Sequence, residues 1–280
     1  MLDDTKPDKF ADLVRISGFS HGTDVWLNNA QDYIRSGTAT MREVISTRDD
    51  IMNYLILKGV ENETAFKIME IVRKGKKDLD DEQVATMKEH NVPDWYIDSC
   101  NKIKYMFPRA HAVAYTMMSF RMAWYKVYYP QEFYATYFTT KVANFDAETI
   151  LKGKDAILAK MEEIDAKGTN ATPKEKDDYT IYEVAYEMYA RGYEFTPARL
   201  GKSLATKFSV DNGKVLLPFV AIEGVGENAA KAFQSEYEIK EFDTVEEAVK
   251  RAKLNRTAVE GLRNHGVFEG LAETDQLSMF

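Results

Sequence analysis

The chain has one cysteine in 280 residues, so no internal disulfide can form and nothing favours secretion. No run approaches eighteen consecutive apolar residues, and the opening "MLDDTKPDKF" lacks the basic-then-apolar order of a signal peptide. No membrane partner is therefore expected, and a cytoplasmic location is. Positive charge is also scarce. The 37 Lys and Arg face 45 Asp and Glu, a formal net charge of −8. That balance excludes a generic nucleic-acid coat, although a phosphate backbone responds to the nearest patch and not to the total.

What is present reads mostly as helix. With 45% hydrophobic and 29% charged residues, the chain has the composition of a globular protein and room for one large or two modest domains. Thr47, two aspartates and then "IMNYLILKG" predict a capped helix stopped at Gly59. "ENETAFKIMEIVRKGK", "DDEQVATMKEHN" and "PDWYIDSCNKIKYMF" continue the pattern. "AHAVAYTMMSFRMAWYKVYYP" follows, ended by Pro130, and it is apolar nearly all round. His111, Tyr115, Met118, Met122 and Tyr129 share one side, and Val113, Met117, Phe120, Trp124 and Val127 another. Only Arg121 and Lys126 interrupt it, so a buried helix is expected. Further helical segments, "DAETILKGKDAILAKMEEIDAKG" and "TPKEKDDYTIYEVAYEMYARG", come next; the second opens on a capping box of Thr172 and Glu175 around Pro173. "GYEFTPARL" and "KFSVDNGKVLLPF" then bring strand-like residues around an Asp-Asn-Gly turn, which predicts a small hairpin and a subdomain boundary near Leu200.

Four segments carry recognisable chemistry. From Asn101 to Gln131 there are Lys102, Lys104, Arg109, Arg121 and Lys126, plus His111, and no acid. Lysines snorkelling around a buried helix would account for this, and so would a face turned to nucleic acid. "RISGFSHGTDVW" sets Arg15, Ser17, Ser20, His21 and Thr23 among glycines. A loop with a capping hydroxyl is the plain account; a polyphosphate cradle of arginine fork, hydroxyls and loop amides is the functional one.

In "AIEGVGENAAKAF", Ile222, Gly224, Val225, Gly226 and Ala230 fit a helix-hairpin-helix pattern, with Asn228 and Lys231 in the turn that follows. The glycines permit a tight turn and bring N–H groups to a phosphate at a helix N-terminus. "LNRTAVEGLRNHGVF" reads as a degenerate second copy with Asn255 and Arg256 at its turn. Residues 199–272 hold eleven basic and eleven acidic side chains, so binding there would rest on backbone amides and a few lysines. Last, "TDQLSMF" leaves large apolar side chains at the terminus, either to fold back or to enter a pocket on another protein.

Taken in order, "DLVRISGFSHGTDVWLNNAQ", "FPRAHAVAYTMMSFRMAWYKVYYPQEFYATYF", "LLPFVAIEGVGENAAKAF" and "QLSMF" resemble the C-terminal part of the PolC-type DNA polymerase III alpha subunit, a bacterial family C replicative polymerase. The resemblance covers essentially the whole chain. It implies a mainly α fold: a helical fingers domain at 1–200, a small α+β region at 201–272 with a β-hairpin and tandem helix-hairpin-helix, and a flexible clamp-binding tail at 273–280. It implies that Arg15, Ser17, Ser20, His21, Thr23, Arg109, His111, Arg121 and Lys126 face the incoming deoxynucleoside triphosphate and the template. His21 would be a donor or stacking partner and not a metal ligand, since no Cys or second His stands at ligand spacing.

The resemblance further implies that Gly224, Gly226, Asn228, Lys231, Asn255 and Arg256 meet the duplex backbone. Gln276, Leu277, Ser278, Met279 and Phe280 would dock as a short peptide on the sliding clamp, the beta subunit, with Met279 where the family usually has leucine. Other replisome subunits are implied partners, and the nucleoid-associated replisome is the implied location. The family's palm holds two Mg²⁺ ions between carboxylates. Here the adjacent pairs in "LDDT", "RDDI", "LDDE" and "KDDY" read as capping or solvated groups, so no catalytic residue and no bound cofactor is expected of this chain alone. It would then be a fragment or a separately encoded piece of the polymerase. A non-catalytic DNA-binding adaptor that recruits the clamp would make the same contacts.

Overall fold

The computed structural model describes residues 1–274 and divides into two compact units, which meet in sequence between Arg121 and Met122. The tail residues Gln276 to Phe280 lie outside the described residues.

The first unit is helical: α1 (Leu2–Thr5), α2 (Phe10–His21), α3 (Gln31–Arg35), α4 (Arg48–Leu57), α5 (Asn62–Lys74), α6 (Asp81–Glu89), α7 (Asp94–Lys102) and the start of α8 (Arg109–Tyr128). Local signals place these boundaries. The Asp50 carboxylate accepts from the amides of Ser46 (3.0 Å) and Thr47 (2.9 Å) and so opens α4. Gly59, at φ +91°, turns the chain after it. Asp80 and Gln83 cap α6 reciprocally, at 2.9 and 3.1 Å. On α5 the apolar residues Ala65, Ile68, Met69 and Val72 recur at helical spacing, and that stripe is buried. They join Phe19, Trp26, Ile45, Leu55 and Tyr96 in one core. A buried amide also ties the irregular turn before α3 to α7: Asn29 accepts from the Ser99 hydroxyl at 2.7 Å and donates to the Asp24 carbonyl at 2.8 Å.

The second unit holds the end of α8, then α9 (Pro130–Thr140), α10 (Ala147–Leu151), α11 (Lys154–Lys167), α12 (Pro173–Ala190), strands β1 (Phe195–Thr196), β2 (Ser209–Asp211) and β3 (Lys214–Leu216), and α13 (Glu227–Ile239), α14 (Val245–Ala252) and α15 (Arg256–Asn264). The capping box of α12 forms: Thr172 N donates to Glu175 at 2.9 Å, and Glu175 N to the Thr172 hydroxyl at 3.2 Å. The hairpin forms as well. Asn212 (φ +50°) and Gly213 (φ +75°) make a two-residue turn whose twist suits antiparallel β2 and β3. β1 adds parallel to β3, giving the order β1-β3-β2. Gly153, at φ +96°, parts α10 from α11 inside what reads as one helical segment.

Three expectations need revision. Leu200 separates no packing units, because a sheet of two- and three-residue strands cannot bury its own face. Phe195 and Phe208 therefore pack on Phe138 of α9, in one core that runs from Tyr134 to Phe268. Helix α8 is not buried: of its twenty residues only Ala112 and Thr116 are. Hydropathy records what a helix needs covered, and the described residues cover only a narrow strip of it. Finally, the chain is still anchored at Glu273. The Val245 and Glu246 amides donate to the carbonyls of Ala272 (2.9 Å) and Glu273 (3.1 Å), and Arg263 pairs with the Glu273 carboxylate.

Candidate nucleic-acid interface

The glycine-rich segment near the N-terminus is a helix and not a phosphate loop. Residues 10–21 form α2, so the amides expected to cradle a phosphate are largely spent on helical hydrogen bonds. A Cβ on Gly18 would overlap the Ser46 carbonyl, and one on Gly22 would overlap the Val25 side chain. These glycines let α2 and the chain after it approach their own protein. Arg15 is likewise turned inward. Its Nε donates to the Met41 carbonyl at 3.0 Å, a terminal nitrogen donates to the Val44 carbonyl, and the other lies 3.7 Å from Asp50. Thr23 bridges to Tyr105 through backbone bonds in both directions. Among the named residues of this segment, Ser20, His21 and Thr23 are exposed and Ser17 is half-buried, with the Ser20 hydroxyl donating to the Ser17 carbonyl at 3.1 Å.

His21 and His111, ninety positions apart, are brought together by Phe107. The His21 ring stacks on Phe107 with centroids 5.2 Å apart; His111 meets Phe107 edge-on at 4.6 Å, and Tyr115 continues the row 4.6 Å beyond His111. In the sequence, no charge or motif marks Phe107 and Tyr115 as site residues, although each stands four positions from His111. The row is a surface on which a flat base can stack, with two imidazoles as hydrogen-bonding edges.

The acid-free basic stretch does not stay acid-free in space. The Arg109 amide donates to Asp49 at 2.7 Å and its guanidinium lies 3.6 Å from Asp50. Asp50 thus sits between two arginines while it caps α4. Lys102 pairs with Asp98 at 2.7 Å, and Lys126 with Glu187 at 2.9 Å. The Arg191 guanidinium donates to the Lys126 carbonyl at 3.0 Å and to the Tyr134 hydroxyl at 2.9 Å, which ties the last turn of α8 to α12. Of the four residues named on α8, Arg109, His111 and Arg121 are exposed, and Lys126 is half-buried in this network.

The second glycine motif behaves differently. Gly224, at φ +85°, makes the tight turn, and a Cβ there would come within 2.9 Å of the Thr257 methyl and carbonyl on α15. Gly226 has no such reason to be glycine: its φ is −71° and a Cβ would meet nothing within 4 Å. It is the N-cap of α13, and no side chain caps that helix. The first-turn N–H groups of α13 therefore point outward beside an exposed Asn228, an anion-binding arrangement with space left for the anion. Lys231 is exposed one turn on, paired with Glu227. In the second copy, Asn255 spends its side chain as N-cap on Ala258 N at 2.8 Å. Arg256 is 91% exposed beside Glu260. The copies also pack on each other, since Gly261 lies flat against the Glu223 carbonyl.

Among the described residues, the aspartates do not gather into a metal site. Asp78-Leu79-Asp80 has the Asp-x-Asp spacing, which a reading by adjacent pairs overlooks, yet Asp80 is the cap of α6 and Leu79 N donates to Asn101 at 3.0 Å. Among the described residues, no group of three or more His, Cys, Asp or Glu could hold a metal ion. The described residues do not fit the Mg²⁺ pair of a polymerase palm.

Comparison with known proteins places this geometry. Residues 1–92 match the bacterial DNA polymerase III alpha subunit finger domain, and residues 192–277 match a helix-hairpin-helix motif. A stretch that matches a finger domain is thus followed by one that matches a helix-hairpin-helix motif. The whole chain matches a C-terminal part of PolC-type DNA polymerase III. Over all 280 residues it is 54% identical to the DNA polymerase III PolC-type of Caldanaerobacter subterraneus subsp. tengcongensis and of Clostridium perfringens, and 51% identical to that of Bacillus subtilis. It spans 19–20% of the length of these relatives.

Proposed function

We propose that this chain serves DNA-templated DNA synthesis as the fingers and duplex-holding part of a PolC-type polymerase. The observation that carries the reading is the uncapped N-terminus of α13 at Gly226, where backbone amides and open space suit a DNA phosphate. Around it, the Gly224 turn, Asn228, Lys231 and Arg256 supply a shallow, mostly neutral grip. The row His21–Phe107–His111–Tyr115, with the exposed Arg109 and Arg121 beyond it on α8, supports contact with the templating base and the incoming deoxynucleoside triphosphate. The terminal "QLSMF" supports docking on a sliding clamp. Phosphodiester formation itself requires the metal-bearing carboxylates that these residues do not provide, so the chain alone is expected to leave a primer unextended.

The test is binding of a fluorescent duplex by anisotropy, at several salt concentrations. The parent should bind weakly, without sequence preference and with a shallow salt slope, because few lysines displace counterions. Gly226→Ser, which adds a Cβ and a hydroxyl that takes the free amides, should weaken binding at least tenfold. Parent-level binding by folded Gly226→Ser would remove the helix-hairpin-helix reading.

A further inference from the structure

In the second unit, the last turns of α8 and one face of α9, along nearly its whole length, enclose a groove of about 390 Å³. Its walls are Met122, Tyr125, Glu132, Phe133, Thr136, Tyr137 and Thr140, and apart from the Glu132 carboxylate the surface they present is mostly apolar. Beside it Trp124, Val127, Tyr128 and Tyr129 stand exposed, with Tyr128 at 64% and Val127 at 63%. Trp124 holds Tyr128 at 5.0 Å and Tyr129 at 5.5 Å between ring centroids, so the patch is one continuous surface and not scattered side chains. Aromatic and methionine side chains with little charge are the composition of an interface centre, and soluble surfaces rarely leave such a patch in water.

Charge identifies the class of occupant. From Met122 to Thr140 the only charged side chains are Lys126 and Glu132, and Lys126 already pairs with Glu187 at 2.9 Å. Arg121 and Lys141 are exposed just outside this stretch, but within it a nucleic-acid strand would stack on the rings and find no free cation for its phosphates. An apolar polypeptide face requires none. About four fifths of each relative lies outside the stretch that this chain matches, so relatives carry this same surface inside a much longer polypeptide. We propose that the α8–α9 groove and its aromatic shoulder are the docking surface for an apolar polypeptide face of that remaining part of the polymerase. One large aliphatic or aromatic side chain would fill the groove and its neighbours would cover Trp124 and Tyr128. This rests on the surface and on the match to longer relatives, and is independent of the duplex-binding reading.

The experiment compares thiol accessibility in two settings. Tyr125→Cys and Tyr128→Cys are made in this chain and in the full-length Bacillus subtilis relative whose matching stretch is replaced by it, and maleimide labelling is read peptide by peptide. Native Cys100 is 2% exposed and gives little background. Leu57→Cys, at a position 85% exposed in the first unit, is the control and should label alike in both. The two tyrosine positions should label freely in the chain alone and at least tenfold more slowly in the long protein. Equal rates would overturn the proposal. So would protection that grows with the concentration of the chain alone, which would make a second copy the occupant, or protection that requires a single-stranded oligonucleotide. Should the graft not fold, cysteines at the aligned positions of the intact relative give the same decision.

Discussion

Two glycine-rich segments, "SGFSHG" and "GVG", read alike as places where backbone approaches a phosphate, and the structure separates them. In the first, Gly18 and Gly22 are closed by the protein's own atoms, the Ser46 carbonyl and the Val25 side chain. In the second, Gly224 is closed by Thr257 while Gly226 opens on empty space. A glycine whose missing Cβ would strike the protein is explained by packing. One whose Cβ would strike nothing, at an ordinary φ, points to something outside the molecule.

Substitutions can break this contrast. The largest effect belongs to Gly18→Ala. The added methyl meets a backbone carbonyl that cannot rotate away, so the first unit should lose about 1–3 kcal/mol in urea unfolding. A neutral result would mean that α2 can shift freely and that the packing account is wrong.

Asp12→Asn is next. Asp12 accepts from the amides of Asp8 (3.2 Å) and Lys9 (3.3 Å) at the start of α2, and from the Arg42 guanidinium at 2.9 and 3.1 Å. The Arg42 bonds, ahead of those from the Asp8 amide, hold its carboxyl well below the usual 3.8. A carboxylate lowered in the folded state contributes stability above its unfolded value and loses it as pH falls through the folded one. Asp12→Asn should therefore melt below the parent at pH 7 by less than Gly18→Ala does, and the gap should shrink steadily once pH drops below about 4. A gap constant from pH 7 to 3 would show that the charge is not what anchors α2.

Gly226→Ser should have the smallest effect on stability and the opposite sign. At φ −71° and ψ 160° the position suits a serine N-cap, worth a few tenths of a kcal/mol over glycine. Slightly raised melting with weakened duplex binding would mark the open amides as a site kept for a ligand. A loss of several degrees would place Gly226 with the packed glycines.

The same distinction explains what could be read along the chain. Caps and turns were legible because their partners are neighbours: Asp50 with Ser46 and Thr47, Glu175 with Thr172, Asn212 with Gly213. The helix-hairpin-helix turn was legible for that reason too. What escaped depends on residues far apart in sequence. Nothing near Arg15 or Arg109 announces that both reach Asp50, and nothing near Lys126 announces Glu187. The apolar circumference of α8 points to burial, and nothing in it reveals that the described residues leave the helix mostly bare.

Each hydrophobic core is drawn from an unbroken length of chain, the first between Phe19 and Met106 and the second between Tyr134 and Phe268. Among the described residues, the two clusters share no buried side chain. During synthesis from the N-terminus, the first core is therefore complete once Met106 has emerged, before any residue of the second is available to compete for it. The cores can form in succession, so an early error in one does not have to be undone before the other closes. Contiguity of this kind keeps the closing loops short and favours rapid, vectorial folding.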